Sequence, residues 1–198
     1  MPNYCSNSVT LRHDNPAEIT RAVEAFKRGE FLAELVPNPA GAWDYDWCVG
    51  HWGVKWDVGG DGYDPIVADD GLSADFTFDS AWSPPITAYE RMTELGFNIN
   101  AMYYESGMAF AGMWDSEFGE DHYDLSGMDS GDVAQQLPSE LDECFEISAT
   151  MAEYEDEEPL TEWYRDGVEE CGLDPHDETP HEFATPGQFV VEEGVKHD

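Results

Sequence analysis

Residues 74–96 read ADFTFDSAWSPPITAYERMTELG, and the change of periodicity inside this stretch decides the fold class. Phe76 and Phe78 alternate with Asp75, Thr77 and Asp79, the two-residue period of a half-buried strand. Ser83-Pro84-Pro85 ends that alternation. Ile86, Tyr89 and Met92 then recur at three-residue intervals as far as Leu95, the stripe of an amphipathic helix stopped by Gly96.

The same strand-to-helix unit occurs earlier in the chain. Residues 5–12 alternate around Val9 and Leu11; Asn15 then caps a helix with Pro16 at its first position, Ile19, Ala22, Val23 and Phe26 on one face, and Gly29 at its end. Between the units lie a Trp-rich segment (Trp43, Trp47, Trp52, Trp56), a Gly/Asp loop at 57–65 and a further strand expected within 54–68. Residues 97–105 and 108–115, broken at Ser106-Gly107, predict a hairpin, and 121–125 a short extra strand. The order strand, helix, strand, strand, helix, strand predicts an α+β protein with a ferredoxin-like βαββαβ core, an antiparallel sheet and an additional hairpin.

Past this core, acidic helices are expected. Pro138-Ser139 precedes a run with Leu141, Phe145 and Ala149 four apart, and a second helix from about Pro159 carries Leu160, Trp163, Tyr164, Val168 and Cys171. After Asp174 the four-residue spacing is lost among Pro175, Pro180 and Pro186, which predicts an irregular tail with a short strand at Phe189–Val191. The expected organisation is a core over 1–125, an acidic helical extension over 126–173 packed on it, and an acidic tail over 174–198.

Charge is the strongest compositional signal. The 198 residues hold 44 Asp and Glu against 8 Lys and Arg, a formal charge of −36. With 41% hydrophobic and 13% aromatic residues the chain has ample material for a core, so acidic disorder is excluded. Eight scattered cations cannot neutralise a run of phosphates, which argues against direct contact with nucleic acid or an anionic membrane. The N-terminus has no basic stretch followed by an apolar one, no segment approaches the ~20 apolar residues of a membrane span, and a cytoplasmic location is expected. Cys5, Cys48, Cys144 and Cys171 lack any C-x-x-C spacing and are expected to be free thiols packed as small apolar groups.

Several runs carry a family resemblance. Met-Pro-Asn-Tyr-Cys-Ser-Asn at 1–7, Tyr45-Asp46-Trp47-Cys48 with His51-Trp52-Gly53-Val54-Lys55-Trp56-Asp57, and Ala81-Trp82-Ser83-Pro84-Pro85 with Tyr89-Glu90 resemble the YubB-like family of phage and plasmid proteins. The resemblance spans roughly residues 1–125. It implies a ferredoxin-like domain and a mobile-element setting; it implies no catalytic residue, and the fold term carries no iron–sulfur site.

No constellation in the chain spells out a reaction. Asp57, Asp61 and Asp64 with Gly59, Gly60 and Gly62 resemble a calcium loop only loosely, since the EF-hand spacing and its terminal Glu are missing. Phosphate-cradling and nucleophile-elbow glycine motifs are absent from the sequence, so no catalytic residue, metal ligand or cofactor is assigned. The Trp-rich run is expected to fill the core or cover a sheet face rather than form an aromatic binding surface, and Lys55, between Trp52 and Trp56, to make a cation–π contact or an ion pair with Asp57.

The excess charge is uneven. Residues 1–55 hold seven acids and five bases, whereas 56–198 hold 37 acids and three bases. A compact chain of this length has a diameter of roughly 42 Å. The same length of duplex DNA carries about 25 charges, so the protein exceeds DNA in charge per unit length. The expectation that follows is an acidic nucleic-acid mimic occupying the basic groove of a host DNA- or RNA-binding protein, and the mobile-element setting makes a restriction or CRISPR-type defence factor the expected target. The residues expected at that interface are Glu140, Glu143, Glu146, Glu153, Glu155, Asp156, Glu157, Glu158, Glu162, Asp166, Glu169 and Glu170. A non-inhibitory acidic accessory protein, a salt-adapted protein and an unrecognised enzyme are the competing readings; salt adaptation predicts acidity throughout, unlike the nearly balanced first 55 residues.

Overall fold

The computed structural model describes residues 3–60 and 62–156, all within the first of two units, Met1–Asp156 and Glu157–Asp198. Its first strand, β1 (Tyr4–Arg12), buries Cys5, Asn7, Val9 and Leu11 on one face, as the alternation predicts. Helix α1 (Pro16–Arg28) follows, its Asn15 cap accepting from the Ala17 N–H at 3.1 Å and Gly29 closing the other end in the left-handed region. Ile19, Ala22, Val23 and Phe26 are buried. Phe26 meets Phe31 and Phe76 edge-on at 5.6 and 5.2 Å, the favoured geometry for paired rings.

Two short helices come next that the sequence reading did not contain, α2 (Phe31–Leu35) and α3 (Tyr45–Trp52). The second expected strand is reduced to β2 (Ile66–Val67), an edge of two residues. Strand β3 (Ser73–Ala81) pairs with β1 over nine residues from Tyr4↔Ala81 to Arg12↔Ser73. Helix α4 (Ile86–Glu94) buries Ala88, Tyr89 and Met92. β4 (Asn98–Glu105) and β5 (Phe110–Asp115) form the expected hairpin, and β6 (Gly119–Asp124) extends it. The buried Glu105 carboxylate accepts the Gly107 N–H at 3.0 Å and that of Met108, which fixes the turn.

The six strands form one sheet in the order β2-β3-β1-β4-β5-β6, with every neighbouring pair antiparallel. One sheet face packs against α1 and α4 through Val9, Leu11, Phe76, Phe78, Ile99 and Ala101. The other carries a second cluster, in which Met102, Tyr104, Ala111 and Met113 meet Val133, Leu137, Leu141 and Ile147. Those last residues belong to α5 (Ser130–Gln136), α6 (Ser139–Phe145) and α7 (Ile147–Asp156).

The single amphipathic run expected through Leu141, Phe145 and Ala149 is therefore two helices. Glu146 takes φ +52° and ends α6, while the Asp142 carboxylate accepts the Ser148 N–H at 2.7 Å and starts α7. The break rotates the stripe. Ile147 is buried and Ala149 exposed.

The Trp-rich run departs in part from its expected role. Trp52 is buried with its Nε1–H on the Val36 carbonyl at 2.8 Å, and Trp47 packs against the core, whereas Trp43 and Trp56 face solvent. The Lys55 ammonium stands over the Trp56 ring at 3.9 Å, while the Asp57 carboxylate is taken up by backbone N–H groups. Cys5 and Cys48 are buried thiols, but Cys144 is exposed. The helix expected from Pro159, the strand at Phe189–Val191 and Cys171 lie outside the described residues.

Candidate functional site

Strand alternation sends Asp75, Thr77 and Asp79 of β3 and Ser6, Ser8, Thr10 and Arg12 of β1 to the side opposite Phe76 and Val9. On that second face, cross-strand pairs hold each polar group in register. Ser6 Oγ donates to Asp79 at 2.8 Å, Thr10 Oγ1 to Asp75 at 2.6 Å, and Arg12 to the Asn100 side-chain oxygen at 2.6 Å; Asn100 in turn donates to Asp115. Asp75 and Asp79 are thus fixed across the strand ladder, and Asp115 also accepts the Glu117 and Phe118 N–H groups of the turn that follows it, at 2.7 and 3.2 Å.

Helix α6 lies over the β4–β5 half of this face, with Leu141 fully buried and Phe145 6.1 Å from the Tyr104 ring. A groove of about 520 Å³ lies beside it, lined by Ser6, Ser8, Thr77, Asp79, Glu143 and Glu146. A further groove of about 470 Å³ is lined by Arg12, Asn100, Asp115, Asp121 and Glu140. With Asp75, seven carboxylates share these linings and their strand neighbours with one guanidinium.

Among the described residues, four of the cations elsewhere are engaged in ion pairs. Arg21 bridges Glu18 and Glu34 at 2.7 and 3.3 Å, Arg28 pairs with Glu30 at 3.0 Å, Lys27 with Asp64 at 3.6 Å and Arg91 with Glu94 at 3.1 Å. All four lie in α1 or α4, on the other side of the sheet from the acidic grooves.

Of the residues expected at the interface, the structure brings Glu140, Glu143 and Glu146 to the grooves. Glu146 gets there from the bend after α6, so the expected common helical face for these three does not form. Glu153 is exposed on α7. Glu155 has a structural task, accepting from the backbone N–H and hydroxyl of Ser130 at 2.8 and 2.6 Å and so tying α7 to the first turn of α5. Asp156 ends α7. Glu157, Glu158, Glu162, Asp166, Glu169 and Glu170 lie outside the described residues. Sequence reasoning missed Asp75, Asp79, Asp115 and Asp121 as members of the site. The signal for the first two was present in their alternation with Phe76 and Phe78.

The loop that resembled a calcium site is used for packing. The Asp57 carboxylate accepts the Leu32, Ala33 and Val58 N–H groups at 2.7, 2.9 and 2.8 Å, capping α2 across 24 or more residues of chain. Burial pushes its pKa up against those three donors, which favour the ionised form. A side chain at Gly59 would place its Cβ 2.3 Å from the Phe26 carbonyl oxygen, so only glycine lets the loop return to the end of α1. Asp61 lies outside the described residues; among those described, no group of three or more His, Cys, Asp and Glu side chains is arranged to hold a metal.

A separate polar cluster crosses the hairpin. The Tyr103 hydroxyl passes over β5 to donate to Glu120 at 2.6 Å and lies 3.2 Å from His122 Nδ1, which locks β6 to β4. Burial and the neighbouring Glu120 hold this phenol protonated. Among the described residues no helix is long and apolar enough to cross a membrane.

No family model, no curated protein and no solved structure matches the chain.

Proposed function

We propose that the chain is an acidic nucleic-acid mimic with a ferredoxin-like core, acting in the host cytoplasm by occupying the basic cleft of a DNA- or RNA-binding protein. One observation carries this reading: α6 and the bend that ends it bring Glu140 to one groove with Asp115 and Asp121, and Glu143 and Glu146 to the other with Asp79. Asp79 and Asp115, held by cross-strand hydrogen bonds, need no ordering when a partner arrives, whereas the exposed Glu140, Glu143 and Glu146 add charge from α6 and the bend that ends it. Steering by a charge of −36 and release of counterions from both surfaces add to it.

The ferredoxin-like assignment is supported by the four strands β2-β3-β1-β4, whose order and antiparallel pairing agree with a βαββαβ chain path, and by α1 and α4 sharing one face. The resemblance of residues 1–125 to the YubB-like family supports a phage or plasmid setting and, through it, a host defence factor of restriction or CRISPR type as the target. The mimic needs no cofactor, performs no reaction and does not touch nucleic acid itself.

The test is competition. A basic nucleic-acid-binding protein retained from host lysate on the immobilised chain is assayed for DNA binding with increasing amounts of the free chain. The expected result is displacement of DNA that weakens steeply from about 50 to about 300 mM salt. Asp79→Lys with Glu140→Lys and Glu143→Lys should abolish it without lowering the melting temperature. Displacement indifferent to salt, or unaffected by these reversals, overturns the reading.

A further inference from the structure

The Trp-rich run builds a second concave feature, independent of the acidic grooves. Pro37, Trp43, Cys48, Trp52, Trp56 and Asp57 line a groove of about 370 Å³, within the size range of small-ligand sites. Cys48 and Trp52, 1% and 4% exposed, belong to the core, while Trp43 and Trp56 stand 63% and 45% exposed. Trp43 is nonetheless held, its Nε1–H donating to the Lys55 carbonyl at 2.9 Å. Two such indoles left in water are costly surface, since each ring buries some 150–250 Å² when covered.

The chemistry of the lining selects the guest. Asp57 is its one ionisable carboxylate, and the protein around it carries −36, so an anionic guest is repelled and a cation favoured. Trp56 binds a cation within the chain, the Lys55 ammonium standing 3.9 Å from its ring centroid, so a cationic guest has to displace that ammonium from the ring. A guanidinium suits such a place better than an ammonium, because it is flat, stacks on indole and sheds water more readily. We infer that this groove receives an arginine side chain of a basic partner protein, stacked against Trp43 and Trp56 with its charge toward Asp57. The inference rests on the proposed function for the identity of that partner, and on the groove alone for the guanidinium.

The experiment titrates the full chain with N-acetyl-arginine amide, observing the indole N–H resonances of Trp43 and Trp56, with N-acetyl-citrulline amide as the uncharged isostere. Saturable shifts at both indoles with the arginine amide are expected, together with about tenfold weaker binding of the citrulline amide. Trp56→Leu, which keeps apolar bulk and removes the indole, should weaken arginine amide by a similar factor, whereas Trp82→Leu, at an exposed indole outside the groove, should leave it unchanged. Asp57 is not a test position because it also caps α2. Equal binding of the citrulline amide, or shifts confined to other indoles, overturns the inference. If Trp56→Leu abolishes arginine-amide binding yet leaves DNA displacement intact, the groove does not hold the partner's arginine and the acidic-groove reading stands. If only the charge reversals fail to act, that reading falls and the groove's guanidinium site remains.

Discussion

The Tyr103 hydroxyl fills the space that any side chain on Gly112 would need: a Cβ built there stands 2.1 Å from that oxygen. The two residues are partners in the β4–β5 register, and the missing side chain is what lets the phenol reach Glu120 across the intervening strand. Gly112→Ala is therefore expected to destabilise the protein by about 1–3 kcal/mol through forced displacement of Tyr103, read as a lower midpoint in urea. Tyr103→Phe should cost less, about 1 kcal/mol for the lost hydrogen bond. Equal midpoints for Gly112→Ala and the parent chain would show that β5 moves aside freely.

Glu146 holds a left-handed backbone, φ +52°, where a residue with a side chain is strained. Glu146→Gly should raise stability by about 1 kcal/mol while removing one groove carboxylate. Thermal unfolding of both proteins checks it; a lower melting temperature for the glycine variant would mean that the side chain does more than terminate α6.

Asp57 offers a pH-dependent test. Its folded pKa is raised, chiefly by burial, so the native state takes up the proton more readily than the unfolded chain. The resulting stability is fully present below the ordinary carboxylate pKa of about 3.9 and is lost as pH rises through the folded value. Relative to Asp57→Asn, which does not titrate, the parent chain should gain stability as pH falls from neutrality and level off below about 4. Asp57→Ala, which strands three backbone donors, should cost about 2–4 kcal/mol at neutral pH. A pH-independent difference between parent and Asp57→Asn would contradict the burial of this carboxylate.

Thiol chemistry should separate the cysteines. Burial, with Glu105 nearby, pushes Cys5 up to about 12, and burial also raises Cys48, whereas Cys144 is exposed. In a Cys171→Ser background, alkylation at pH 8 should label Cys144 within minutes and leave Cys5 and Cys48 protected until the chain unfolds. Mass analysis of the labelled peptides decides it, and early labelling of Cys5 would show that the β1 interior opens readily.

What the sequence made legible follows from where each signal is stored. Helix α1 carried its own instructions, Asn15, Pro16, the Ile19-to-Phe26 stripe and Gly29, all within 15 residues. Helix α2 did not, because the carboxylate that caps it, Asp57, lies more than 20 residues downstream. Helix α3 had a local cap, Asp44 accepting from the Trp47 N–H at 2.8 Å, but its indoles read as general core material and hid the four-residue spacing of Cys48 and Trp52. The break at Glu146 was invisible because Leu141, Phe145 and Ala149 continue a helical period that the Asp142–Ser148 contact overrides. For the candidate site, the outward Asp75 and Asp79 could be read from alternation alone. That α6 would part their surface into grooves depended on packing between distant elements.

Helices α1 and α4 cover one face of the sheet, while α6 covers only the β4–β5 half of the other, so the outward side of β3 stays open to solvent. The sheet is thus roofed on one side and half bare on the other, and the anions of β3 stand on the bare half, where no change of fold is needed to reach them.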